Sequence, residues 1–110
     1  MNYFNLNTYY MEAVITRSDN PKKKYKVVIT DGKRKKTIHF GQAGANDYTI
    51  TKDDEAKYKY IDRHKHRENW TDPFTAGWWS LHLLWSKPTI LQSLKSIKDD
   101  YDIKIKNYIV

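Results

Sequence analysis

Two lysine-rich runs, Lys22-Lys23-Lys24-Tyr25-Lys26 and Lys33-Arg34-Lys35-Lys36, carry the clearest chemical signal in this 110-residue chain. Cations at that density suit polyanion recognition rather than bond making. Three other groupings could do chemistry. His64-x-His66 has a metal-ligand look, but on a helix the two point about 200° apart and cannot hold one ion; a strand would be needed. Asp53-Asp54-Glu55 and Asp99-Asp100-Asp102 cluster carboxylates, which read as helix-end charges, and nothing like a nucleophile elbow is present. Gly41-x-x-Gly44 fits neither a P-loop nor a dinucleotide fingerprint, and it lacks the paired helices of an RNA-clamping KH loop. The chain therefore reads as non-enzymatic, with no cofactor and no metal.

Net charge is +7, and its placement matters more than its size. Residues 22–52 alone sum to +7, while 1–21, 53–70 and 71–110 sum to −1, 0 and +1. A localised excess points to nucleic acid or an acidic protein surface. The competing reading is composition: lysine outnumbers arginine 16 to 4, and Ile, Asn and Tyr are frequent, as an AT-rich genome would encode. Lysine also favours phosphate contact over base readout. There are no cysteines, which suits a reducing compartment and excludes disulfides and thiolate metal sites. No signal peptide is expected from MNYFNLNTYYMEA. The longest apolar run, Leu81 to Trp85, is interrupted by His82, so no membrane partner is expected.

The elements that must position these residues form one domain. Residues 1–10 are an Asn/Tyr-rich arm, 11–102 a single α+β domain, and 103–110 a tail that could form a strand. MEAVITR is a first strand. Tyr25, Val27 and Ile29 alternate with polar positions, as do Ile38 and Phe40, which predicts a hairpin with one apolar face. That hairpin puts the two basic runs at opposite ends, roughly 23 Å apart, with Lys26, Lys35 and His39 on one side. Residues 41–51 read as a loop. A helix capped by Thr51 then runs to about Glu68, with Asp53, Asp54 and Glu55 first and His64, Lys65, His66 and Arg67 last. On it Lys59, Arg63, His66 and Arg67 share a stripe of roughly 100°. That stripe could track phosphates, or it could be absorbed by the i,i+4 pairs Glu55–Lys59 and Asp62–His66.

All four tryptophans lie between Trp70 and Pro88, a stretch apolar on nearly every side when wound as a helix from Thr75. A helix apolar all round is normally buried, so Trp78, Trp79 and Trp85 are expected against Val27, Ile29, Ile38 and Phe40. The alternative is an exposed aromatic platform for bases or a partner. Thr89 caps a third helix with the stripe Ile90, Leu94, Ile97 and Tyr101. The fold expected is a small antiparallel sheet, the first strand plus the hairpin, packed against a C-terminal group of about three helices with the Trp-rich one central.

A resemblance runs through roughly residues 24–100. Phe40-Gly41, Asp47-Tyr48-Thr49, Lys52-Asp53, Arg63-His64, Glu68-Asn69-Trp70, Thr75-Ala76-Gly77, Leu84-Trp85 and Lys87-Pro88-Thr89 occur in that order. Together they resemble a family of short proteins, with no established activity, encoded mainly by the giant and algal double-stranded DNA viruses of eukaryotes. Ser86 and Thr51 depart from its pattern, where Asn and His would be expected, so nothing carries to those positions. The resemblance implies a viral protein in the infected cell, cytoplasm or nucleus, or in the virion. The functional expectation is phosphate-directed binding of nucleic acid, duplex DNA foremost, with little sequence preference. Its residues would be Lys22, Lys23, Lys24, Lys26, Lys33, Arg34, Lys35, Lys36, Lys59, Arg63 and Arg67. The alternative is a virion structural or cementing protein that grips neighbouring subunits with its arm and tail.

Overall fold

A computed structural model of the chain describes residues 11–108. The expected arm, 1–10, and the last two residues of the tail lie outside the described residues. The first three elements follow the period-two pattern: β1 (Met11–Arg17), β2 (Lys23–Thr30) and β3 (Lys35–Gln42) form an antiparallel meander. Each strand turns one side inward, and Ala13, Ile15, Val27, Ile29, Ile38 and Phe40 are buried there. At the β2–β3 turn the Asp31 carboxylate accepts from the backbone N–H groups of Lys33 and Arg34, and Gly32 takes φ 91.

The tail does not stand apart. Ile103–Tyr108 forms β4, which pairs in parallel with β1 and completes a four-stranded mixed sheet of order β3-β2-β1-β4. Ile103 is buried and Ile105 packs against the core. The chain reaches that edge through the helical layer, as a parallel connection requires.

Among the described residues that layer holds the three expected helices and one short helix more. The expected loop contains α1 (Tyr48–Thr51), capped by Asp47 and closed by Lys52 in the left-handed region. That closure moves the start of the next helix. Thr51 belongs to α1, and Asp53 caps α2 (Asp54–His64), accepting from the N–H groups of Glu55 and Ala56. α2 also ends at His64 rather than Glu68, so His66 and Arg67 lie in a following turn and the four-residue basic stripe does not form on one helix.

The Trp-rich stretch starts as expected, with the Thr75 hydroxyl accepting from the Trp78 N–H at the head of α3 (Ala76–Trp79). It then continues as a π-helix over Ser80–Trp85, the wider winding often met at functional sites. Trp78 and Trp79 are buried, with Trp79 6.2 Å from Phe40 ring to ring and its indole N–H donated to the Pro73 carbonyl. Burial at this scale contributes roughly 4–6 kcal/mol per tryptophan before entropy. Trp85 departs from the expectation: it is half-buried at the rim of the core and stacks on Tyr60 instead. Thr89 caps α4 (Ile90–Tyr101), which buries Leu94 and Ile97, and Asp102 in the left-handed region turns the chain into β4. α3, the π segment and α4 lie on the sheet; α1 and α2 pack outside the π segment.

Candidate nucleic-acid interface and the adjoining cleft

The hairpin carries the basic runs to its two ends, but the structure sorts their members sharply. Lys24 is taken: its ammonium lies 2.5 Å from the Asp47 carboxylate, with the side chains 14% and 3% exposed. Asp47 also accepts from the Thr49 N–H and hydroxyl, so the group locks β2 to α1. Lys26 is 3.8 Å from Asp19, which folds over from the β1–β2 turn. Arg34 pairs with Asp31 at 3.4 Å and lies 3.8 Å above the Phe74 ring, and Lys36 donates to the Phe74 carbonyl at 2.9 Å. On α2, Lys59 pairs with Glu55 at 3.9 Å. Asp62 pairs with Lys65 at 3.0 Å, not with His66. That lysine, through hydrogen bond and charge, pulls the Asp62 carboxyl below its ordinary value, as the Lys33 and Arg34 amides do for Asp31.

Lys22, Lys23, Lys33, Lys35, Arg63 and Arg67 remain. None has an ion pair among the described residues, and all are exposed. Lys26, Lys35 and His39 do share the outer side of the sheet, Lys26 facing His39 across the β2–β3 ladder. His39 is held there by Ser18 at 2.7 Å. β4 adds Lys104 and Lys106 by its own alternation, and Lys106 lies 3.7 Å from Glu12. Those two lysines were not among the sequence candidates, because a tail of undetermined partner gave no sheet face to assign them to.

A cleft of about 520 Å³ opens where the Lys22–Lys24 end of the hairpin meets α2 and the π segment. Lys23, Arg63, His64 and Glu68 line it, with Tyr60 and Trp85 as an aromatic wall. Tyr60 is sandwiched, its ring centroid 4.4 Å from Trp85 and 4.2 Å from His64 in near-parallel stacks. Burial pushes the Tyr60 phenol up to about 12; Glu68 adds to this, while the Ser80 hydrogen bond, Arg63 and Arg67 oppose it. His64 Nδ1 is 3.3 Å from one Glu68 oxygen. The other oxygen lies against Gly77, where an added Cβ would be 2.2 Å from it. On the sheet side Gly41, at φ 78, lets the β3 backbone approach Leu84; a Cβ there would be 2.8 Å away.

This cleft was missed by sequence reasoning, although Gly41, Asp47, Arg63, His64, Glu68, Gly77, Leu84 and Trp85 all belong to the ordered motifs and all line it. Two further signals were present: the i,i+4 spacing of His64 and Glu68, and a glycine inside a helix that costs about 1 kcal/mol relative to alanine. His64 is turned to Tyr60 and Glu68 while His66 is exposed, and among the described residues no group of three or more His, Asp or Glu is placed to hold a metal ion. No helix among them is long and apolar enough to cross a membrane.

A model described as a family of unknown function (DUF5754) matches residues 13–64, and over that span, from β1 to the end of α2, the chain is similar to that family. No curated protein and no solved structure matches the chain.

Proposed function

We propose that this protein binds nucleic acid through its phosphates, without catalysis and with little sequence preference, duplex DNA being the target form. One observation carries the reading. Residues 22–52 hold only two carboxylates, and both are occupied, Asp47 by Lys24 and Asp31 by Arg34. The ammonium groups of Lys22, Lys23, Lys33 and Lys35 are therefore left unneutralised at the two ends of one hairpin. Those ends are roughly 23 Å apart, about seven phosphates along one strand of a duplex. The setting would be the infected cell or virion that the sequence resemblance implies. The rival virion-structural reading uses the arm and the tail to grip neighbours; the arm lies outside the described residues, and Ile103–Tyr108 is already paired with β1 of its own chain, which speaks against the tail as a donor strand.

The test is a salt titration of duplex DNA binding by the whole chain. Each phosphate contact contributes about −0.9 to the slope of log affinity against log salt. Lys22→Ala/Lys23→Ala and Lys33→Ala/Lys35→Ala should each flatten the slope by about 1.8. A salt-independent affinity, or slopes unchanged in both double variants, would return the basic segment to codon composition.

A further inference from the structure

The cleft beside the Lys22–Lys24 end is chemically different from the rest of the basic surface. At the other end of the hairpin Lys33, Arg34, Lys35 and Lys36 line a more open hollow of about 510 Å³, with Asp72, Phe74 and Thr75. In the cleft Lys23 and Arg63 face a concavity whose volume falls in the small-ligand range. Lys24 and Asp47 neutralise each other, so the charges left on the cleft are Lys23, Arg63 and one carboxylate, Glu68, which His64 meets through a single oxygen.

That carboxylate is placed with some care by the sequence. Gly77 has an ordinary helical backbone, so glycine is not needed there for φ. What its missing Cβ provides is room for Glu68 Oε1. His64 engages only Oε2, and Oε1 has no hydrogen-bond partner among the described residues. The cleft thus offers an unmatched acceptor and unmatched cations beside the half-buried Trp85, the Tyr60 ring being covered by Trp85 on one face and by His64 on the other. An anion alone would match the cations and be repelled by Glu68. A ligand that joins a phosphate to a planar group bearing N–H or O–H donors matches all three features.

From this we infer that the cleft binds a single nucleoside monophosphate unit. Its phosphate lies between Lys23 and Arg63, and a base or ribose donor reaches Glu68 beside Trp85. Two sources share this chemistry, a free 5′-mononucleotide and the 5′-phosphorylated end of a single strand. The strand-end form rests on the nucleic-acid reading; the mononucleotide form does not.

Calorimetric titration of the full chain separates the cases. Adenosine and uridine 5′-monophosphates, the matching nucleosides, inorganic phosphate, and a short single strand with and without its 5′-phosphate are the probes. Binding of a mononucleotide, at least tenfold tighter than of its nucleoside and of inorganic phosphate, is expected. Arg63→Ala, on an exposed helix position, should weaken it about tenfold to a hundredfold, the range for a charge-assisted hydrogen bond. Gly77→Ala should weaken it too, by displacing Glu68, with circular dichroism confirming the fold; Glu68→Ala, which removes the acceptor outright, gives the same loss should that variant unfold. Tighter binding of the 5′-phosphorylated strand than of the free nucleotide identifies a strand end, and the reverse identifies a nucleotide. No mononucleotide binding at about 1 mM, equal binding of inorganic phosphate, or insensitivity to Arg63→Ala overturns the inference. Lys33→Ala/Lys35→Ala lies outside the cleft: it should lower duplex affinity and leave mononucleotide binding intact, so failure of either idea is read independently.

Discussion

Replacing Lys24 with methionine should damage folding rather than nucleic-acid affinity, although Lys24 sits in the middle of the densest basic run. Its ammonium is 2.5 Å from Asp47, and both side chains are largely out of water. Methionine keeps the stem volume and leaves the Asp47 carboxylate buried without its counter-charge. Removing one partner of a buried pair costs about 3–5 kcal/mol. The two hydrogen bonds from Thr49 to Asp47 survive, so the lower end, about 3 kcal/mol, is expected. That is a large share of the roughly 5–15 kcal/mol by which such domains are stable. Urea unfolding should show a lowered midpoint at unchanged m. Adding Asp47→Asn removes the stranded charge and keeps an N-cap acceptor, so the double variant should regain about 1–2 kcal/mol. In the DNA salt titration Lys24→Met should leave the slope unaltered, whereas Lys23→Ala should flatten it by about 0.9. A stability loss under about 1 kcal/mol, the worth of a surface pair, together with a slope change matching that of Lys23, would refute the assignment of Lys24 to the fold.

Burial of His82 against Trp78 and Tyr101 pushes its imidazole down to about 4 from 6.5, with Asp100 opposing. The unfolded chain therefore takes up this proton first as pH falls, so the stability at stake is whole above 6.5 and is lost progressively towards 4. Discounted for the water that still reaches the ring, the loss is about 1–2 kcal/mol; urea midpoints at the two ends of that window should converge in His82→Leu. Trp79→Ala empties the centre of the core and should cost about 3–5 kcal/mol in the same assay. Thr75→Ala and Thr89→Ala each remove an N-cap acceptor and should cost about 1 kcal/mol.

What the sequence determined by itself were the features written in neighbouring residues. Alternation at Tyr25, Val27 and Ile29 and at Ile38 and Phe40 specified the hairpin, because a one-residue slip would turn every apolar side chain into water. Thr75 and Thr89 marked their helices, since a cap acts within its own first turn, and the Ile90–Leu94–Ile97–Tyr101 stripe specified the buried side of α4 as far as Ile97, Tyr101 being 46% exposed. The start of α2 was not legible, because Thr51 and Asp53 are both good caps and the choice was made by Lys52 closing α1 in the left-handed region. Tertiary structure also decided which cations are free. Lys22, Lys23 and Lys24 are chemically alike, and only the arrival of Asp47, 23 residues on, removes Lys24 from the surface. Alternation in the tail implied a strand, but its parallel place beside β1 follows from the helical layer that carries the chain across. The cleft is the extreme case: Lys23, Arg63, Glu68, Gly77 and Trp85 come from a strand, a helix, a turn, a second helix and a π segment, and a site built from contacts that distant has no local pattern to show.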